Sequence, residues 1–512
     1  MAQSNSLLPS TLMVRFGRGV GSTAIGQVVA AVSSILLVPL FLRAWGAEGY
    51  GQWLSLTAFI SYISLLDFGG QSFIGNLLAR EYARGNQGEF QQKLSEGVSL
   101  FALIALIAFA LLILVLCVPG FSLPGHDTPF RPTERLILLL MGTSYLLSIP
   151  TGVYVTVYRA AGYLARSVMI GNVFRFVALV CYSSILVMRL PATLYAVVHL
   201  SIGVVSTFFI VWDTHRLIPV CRGAKLSIAA ALTARAHLGG SMHFWLLALA
   251  SALNLQGVVL VLAANGSPET VATYSAHRTI AGLVGYMSNL VQGPLWPEFT
   301  FMHAQEDHAK LTNVSLLTIR MVVLLSGVAA LGLWILLPTI YPIWTGRHLQ
   351  FQAPLLALLL FQAVLAAGWT TSGWSLLATN NHYRLTYWAL ANALLTIGFA
   401  IVLAPKFGAM GAVSASLLGD VICGAAVYPG LAAGLHGMPV KEFYKAAFLP
   451  ILALLIPSAL IATASWVHNE QFMLLASILA VASLYPVARI ALRKQDADWA
   501  VSKLQALIQS HT

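Results

Sequence analysis

An arginine inside a stretch long enough to cross a bilayer is costly unless it faces protein or water, so its position marks a candidate site. Arg278 stands in such a stretch, VATYSAHRTIAGLVGYMSNLVQGPLWPEF (271–299). It lies about 12 Å from the nearer edge of its span at 1.5 Å per helical residue. Arg278 is therefore a candidate substrate-binding residue. Arg175, at a similar depth in another apolar run, and Arg15 and Arg18, at the start of the first run, complete the candidate substrate-binding set. Each also has a plainer reading. Arg278 would pair with a carboxylate or a helix C-terminus, and Arg175 with Asp67. Arg15 and Arg18 would only fix topology, and Arg320 would snorkel to the interface.

The acids that fall well inside apolar runs are Asp67 and Asp420. An embedded carboxylate is a candidate site for H+ or Na+. If it competes with a substrate for one arginine, ion binding and substrate binding become coupled. The plainer reading is a fixed ion pair or an interhelical hydrogen bond. His199, His243 and His277 are also embedded and titrate near neutrality, but a lone histidine among apolar residues more often bonds to a neighbouring helix. Cys117, Cys181, Cys221 and Cys423 have no metal-ligand spacing and read as small core residues. The sequence calls for no metal and no cofactor. It also lacks a nucleophile triad and a phosphate-cradling loop, so no enzyme is expected.

These residues sit in a chain that is 58% hydrophobic and 9% charged, with a mean hydropathy of +0.81. Soluble domains carry about 25% charged residues. Apolar runs of about 20 residues, each the length of a membrane-spanning helix, recur throughout, and the alternation of a membrane barrel is absent. The expected fold is all-α: a polytopic membrane protein of about 14 transmembrane helices. The spans are read at 18–42, 52–78, 94–118, 135–158, 168–188, 192–212, 237–263, 270–296, 311–337, 352–378, 385–404, 409–435, 447–467 and 472–491. The N-terminal lead has no small-residue cleavage site, so the first span is expected to be retained. Of the 28 Lys and Arg residues, nineteen then fall on the side of the N-terminus, six on the other side and three within spans. The positive-inside rule places both termini in the cytoplasm. It also accounts for the net charge of +11 without nucleic acid.

The longest loop, about 213–235, is basic and central. A shift of 221 residues across it aligns Gln71 with Gln292 and Ala83 with Ala304, and a shift of 220 aligns Asn172 with Asn392. Six spans precede the loop and six follow it. An even number per unit gives both halves the same orientation, a parallel repeat with a pseudo-twofold axis along the membrane normal. The expected organisation is an N-terminal six-helix lobe (1–212), a cytoplasmic linker (213–235), a C-terminal six-helix lobe (236–435), and two extra helices with a tail (436–512). Transporters built this way bind substrate at the repeat interface.

The stretch 39–90 carries Gly46-x-x-Gly49-Tyr50-Gly51, Asp67-Phe68-Gly69 and Ala83-Arg84-Gly85-Asn86. The second half adds Tyr274 with Arg278 and Leu295-Trp296-Pro297-x-Phe299. In these loose motifs, about a fifth of the chain, and in topology throughout, the sequence resembles the polysaccharide-unit (O-antigen and exopolysaccharide) flippases of the multidrug/oligosaccharidyl-lipid/polysaccharide exporter superfamily. The resemblance implies an inner-membrane protein that moves an undecaprenyl-pyrophosphate-linked oligosaccharide to the periplasmic leaflet by alternating access. It also implies polysaccharide polymerase machinery as a partner. The lipid II flippases are an alternative, although their arginine-rich first spans are not found and Asp67 stands where they tend to be basic.

Two further classes fit the sequence less well. A multidrug or small-molecule antiporter of the same fold would favour an acidic cavity, whereas three embedded arginines face two aspartates here. A membrane polymerase or ligase would carry a large periplasmic loop, and the expected loops on that side are short.

Overall fold

The computed structural model describes residues 10–120, 130–235, 238–305, 307–378 and 383–467. Hydrocarbon offers the backbone no hydrogen-bond partner, so a spanning chain must satisfy its own peptide groups, and a helix does so within one segment. The described residues are helical almost throughout. Nine of their segments are long and apolar enough to cross a membrane. The protein is a polytopic all-α membrane protein. Outward-facing Leu106, Leu114, Phe176, Val187 and Phe208 are each more than half exposed, as expected of side chains whose solvent is lipid.

The chain divides into two compact units. One runs to Thr273 and includes Ala404–Ala409; the other comprises Tyr274–Leu403 and the chain from Met410. The first contains α1 (Ser10–Ser61), a 3₁₀ turn (Tyr62–Asp67), α2 (Gly70–Ala83), α3 (Gln87–Cys117), α4 (Pro132–Ala160), α5 (Leu164–Val187) and α6 (Ala192–Leu217). The short α7 (Ile228–Ala234) follows, then α8 (Leu238–Ala252) and α9 (Val258–Asn265). Its hub is α4, packed on α2, α3 and α6; Ile74 and Leu78 of α2 and Phe101 of α3 join Val153 and Val157 of α4 in one core.

The glycine motifs of the first two spans have structural causes. The span expected at 18–42 and the first part of the one expected at 52–78 run together as α1 across a break at Gly46, whose φ of 71° and ψ of −179° belong to a region that essentially only glycine occupies. Five residues on, a side chain at Gly51 would collide with the Pro268 carbonyl. Asp67-Phe68-Gly69 is a second break. Phe68 and Gly69 have φ of 49° and 66°, and the Gly69 N–H donates to Asp67 Oδ1 at 3.0 Å. The polar hairpin turns at Gly85, φ 71°, where Asn86 caps α3 by accepting from the Glu89 N–H.

The expected linker begins inside α6, which continues to Leu217. Beyond it, the backbone N–H groups of Lys225 and Ser227 donate to Ser95 and Ser99 of α3, both at 3.0 Å.

The second unit takes most of α10 (Pro268–Ala304), then α11 (His308–Trp344), α12 (Ala353–Ala378) and α13 (Tyr383–Gly419). A π-helical turn (Asp420–Ala425), α14 (Tyr428–His436) and α15 (Val440–Val467) follow. α12 packs against α11, α14, α15 and the π turn. Within α13 Gly408 has a φ of 55°, so the spans expected at 385–404 and 409–435 are joined as the first two are. α10 does not stop at Trp296-Pro297 but runs on to Ala304. Arg320, expected to snorkel, is only 6% exposed, because α11 begins at His308 and carries it into its fourth turn. The last expected span, 472–491, lies outside the described residues.

Candidate functional site

Arg278 opens onto a cavity of about 450 Å³ formed within the second unit by α10 and α12. On α10 the lining positions are 278, 281, 282, 285, 288, 289 and 292; on α12 they run from Leu359 to Trp374. The steps of three and four keep each set on one helix face, and fourteen residues from Arg278 to Gln292 make a groove about 21 Å long. Its floor is made of small residues, Ala281, Gly282, Gly285, Ala363, Ala366 and Ala367. A Cβ built on Gly282 or Gly285 meets no atom within 4 Å, so at these positions the space is open.

The polar groups of the walls are held in place. The Arg278 guanidinium carbon lies 5.5 Å from the centre of the Tyr274 ring, one helical turn away, a cation–π contact that braces the side chain. Gln292, 3% exposed, donates its amide to Thr371 Oγ1 at 2.6 Å, tying α10 to α12. Ser288 meets Ser326 of α11 at 3.0 Å. His277, adjacent in sequence to Arg278, is fully buried. The Gln352 N–H donates to its Nε2 at 3.1 Å, so the ring proton sits on Nδ1, which donates to Tyr341 Oη at 3.1 Å. Both nitrogens serve as structural bonds, which is the plainer of the two readings for this histidine. His199 likewise shares a 2.7 Å hydrogen bond through Nδ1 with Tyr182.

Asp420 opens the π-helical turn, the kind of local irregularity often found at functional sites. It is 8% exposed. Gln362 Nε2 donates to its Oδ2 at 2.9 Å and Asn392 Nδ2 to its Oδ1 at 3.1 Å. Thr396 in turn donates to Asn392 Oδ1 at 3.3 Å. A side chain at the preceding Gly419 would collide with Thr396, so glycine lets the carboxylate approach its donors. Gln362 also lines the cavity. One glutamine therefore joins the buried carboxylate to the groove that Arg278 enters.

The remaining sequence-derived candidates are not gathered there. Asp67 belongs to the first unit and works as the local cap of a helix break. Arg175 is exposed on α5, whose neighbours are α1, α4 and α6, and no ion pair among the described residues joins it to Asp67. Arg15 and Arg18 fall in the first turns of α1, with side chains outside the described part of the structure. Gln292, Gln362, Asn289, Thr370 and Trp374 do not stand out as site residues in the sequence. The usable signal is uncharged polarity inside apolar runs, which FQAVLAAGWTTSGW (361–374) displays. Asp213 also escapes the sequence reading, which ends span six one residue before it. It is 2% exposed and accepts both Arg166 Nη2 at 2.6 Å and Arg166 Nε at 2.9 Å, as well as the Tyr158 hydroxyl at 2.7 Å.

No known family's sequence model matches the chain, and no curated protein matches it in sequence. Solved structures do match its fold. The lipid II flippase MurJ in an inward closed conformation superposes with a TM-score of 0.67 at 15% identity, over 92% of this chain and 97% of that one. An inward-facing multidrug resistance MATE transporter of the MOP superfamily gives 0.60 at 13% identity, over 82% and 96%. The MATE multidrug transporter DinF-BH gives 0.59 at 13% identity, over 87% and 99%. The chain has the fold these membrane transporters share.

Proposed function

We propose that this protein is a flippase for an anionic lipid-linked oligosaccharide, carrying an undecaprenyl-pyrophosphate-linked repeat unit across a bacterial inner membrane by alternating access for surface polysaccharide assembly. The observation that carries the reading is a groove with an arginine at one end and uncharged amides and hydroxyls along its walls. A pyrophosphate is insoluble in hydrocarbon and needs a cation in a polar enclosure. Arg278 supplies the cation, and the Tyr274 ring holds it at the groove. In the same proposal, Arg15, Arg18 and Arg175 meet the head group on its way in, and Asp420 takes H+ or Na+ as the coupling site. Lobes at 1–212 and 236–435, with both termini in the cytoplasm, would supply the alternating movement. The fold likeness to a lipid II flippase supports a lipid pyrophosphate as cargo and leaves the sugar to be found by experiment.

The test is flipping in proteoliposomes of a fluorescent polyprenyl-pyrophosphoryl oligosaccharide, scored by reduction of the dye in the outer leaflet. Arg278→Ala should slow flipping at least tenfold, about 1.4 kcal/mol, and Arg278→Lys should recover part of it. Equal rates for the wild type and Arg278→Ala would end the reading. The fold likeness to MATE transporters favours a second reading, a cation-coupled drug antiporter. Under that reading a cationic dye would be carried, the lipid would not, and loss of Arg278 would not slow the dye.

A further inference from the structure

We infer that the far half of the α10–α12 groove is a carbohydrate subsite, which places the first sugars of the cargo on Gln292, Asn289, Thr370 and Trp374 while the pyrophosphate lies at Arg278. This deepens the flippase reading and rests on it.

The lining changes character along its length. Arg278 is the charged residue among those that line the groove, and it stands at one end. The hydrogen bond from Gln292 to Thr371 sets the two helices in register, so Trp374 lies about 26 Å along the groove from Arg278 at 1.5 Å per residue. Between them the polar groups are two amides on α10, one on α12, and hydroxyls. Uncharged amides offer donors and an acceptor together. That suits vicinal hydroxyls, which both donate and accept, better than it suits a phosphate, which accepts only. Trp374 adds a broad apolar face with a polar edge, a surface on which the C–H face of a sugar ring can lie. The alanines and glycines between these groups let a ring lie flush on the helices.

The wall is built before a ligand arrives. Gln292 is more than nine-tenths buried and already fixed by Thr371, and Ser288 is held by Ser326. Binding then orders few side chains, and ordering each would otherwise cost about 0.5–1.5 kcal/mol. A cavity of about 450 Å³ lies in the range that encloses a drug-sized ligand. It accommodates a short head group; a longer glycan would have to extend beyond it.

The test measures binding to the full-length protein in nanodiscs with two probes, farnesyl pyrophosphate and the same lipid bearing one N-acetylglucosamine on its pyrophosphate. The wild type should bind the glycosylated probe about tenfold more tightly, the gain of roughly one well-placed hydrogen-bonded contact. Trp374→Ala and Asn289→Ala should each remove most of that gain and move the bare probe less than twofold. Trp374→Phe, which keeps a ring, should retain part of the gain and guards against misfolding of the alanine variant. Equal affinities of the wild type for both probes, or equal losses for both probes in these variants, would overturn the subsite. Failure of Arg278→Ala to weaken the bare probe would instead overturn the pyrophosphate anchor and leave the sugar arm to be read on its own.

Discussion

Gln362 donates to the Asp420 carboxylate at 2.9 Å from a position on the wall of the Arg278 groove. Under the proposed function, a cargo that took this amide for itself would uncover Asp420 Oδ2, and an ion or proton that neutralised Asp420 would release the amide to the cargo. Asp420 and the groove share one donor, so occupancy of one would change the cost of occupying the other.

Asp420→Asn should therefore leave cargo binding within a fewfold of wild type while reducing stimulation by an imposed H+ or Na+ gradient to less than twofold. Gln362→Leu should uncouple in the same way with Asp420 still in place. Flipping by Asp420→Asn that responds to the gradient as the wild type does would rule out the coupling. Asp420→Leu should do more harm than Asp420→Asn, because it leaves the buried Asn392 amide without its carboxylate acceptor, at about 1–3 kcal/mol. Thermal melting in detergent separates the two variants.

Gly282 and Gly285 offer a test that removes space rather than charge. A Cβ at either position enters open cavity and meets no neighbour within 4 Å. Gly285→Leu should keep the melting temperature close to that of the wild type, since the helix gains propensity where glycine had cost about 1 kcal/mol, yet lower flipping at least tenfold. Normal flipping with the groove filled would show that cargo does not pass along it.

Much of the fold is legible in the sequence for a physical reason: hydrocarbon admits few architectures, so apolar length and flanking charge report the spans directly. The two glutamines aligned by the shift of 221 residues each tie their helix to a neighbour. Gln71 donates to the Ile149 carbonyl on α4, 78 residues on; Gln292 donates to Thr371 on α12, 79 residues on. The site is less legible. Charge draws attention to Arg175 and Asp67, and neither is among the residues that line the α10–α12 groove: the first is exposed on α5 and the second caps a break in its own segment. The amides that line the groove carry no charge, and Asp420 finds its donors on helices well before it in sequence, at separations of 28 and 58 residues. No spacing rule predicts such a meeting.

The linker makes a prediction about reactivity. Cys221 is fully buried in the 3₁₀ turn after α6, and burial pushes its thiol up to about 12. The nucleophile is the thiolate, so Cys221 should resist maleimide at pH 8 in the folded protein and react only after denaturation. A thiol whose folded value is raised contributes its full stability below the unfolded value, about 8.5. It loses that stability as pH climbs from there toward 12. Cys221→Ser should flatten that alkaline decline of the melting temperature, and rapid labelling of native protein at residue 221, located by mass spectrometry, would contradict the burial.

Asp213 and Arg166 form the strongest ion pair by geometry among the described residues of the first unit, a two-pronged contact at 2.6 and 2.9 Å with Tyr158 as a third donor. The carboxylate is buried while the arginine side chain is 49% exposed, so solvent screens one partner and not the other. The asymmetry predicts unequal losses. Arg166→Ala strands a buried carboxylate and should destabilise by about 1–3 kcal/mol, below the roughly 3–5 kcal/mol seen when both partners of a broken pair are buried. Asp213→Asn keeps a hydrogen-bonding group for Tyr158 and returns the arginine to water, and should cost about 1 kcal/mol. A double-mutant cycle on melting in detergent reads the coupling directly. The pair joins α5 to α6 at the end of the six helices that lead into the linker. If it holds those ends together through the transport cycle, Arg166→Ala should also expose the α5–α6 end to limited proteolysis while leaving binding of cargo at the α10–α12 groove unchanged. A variant as stable and as resistant as the wild type would show that the pair is only a surface contact.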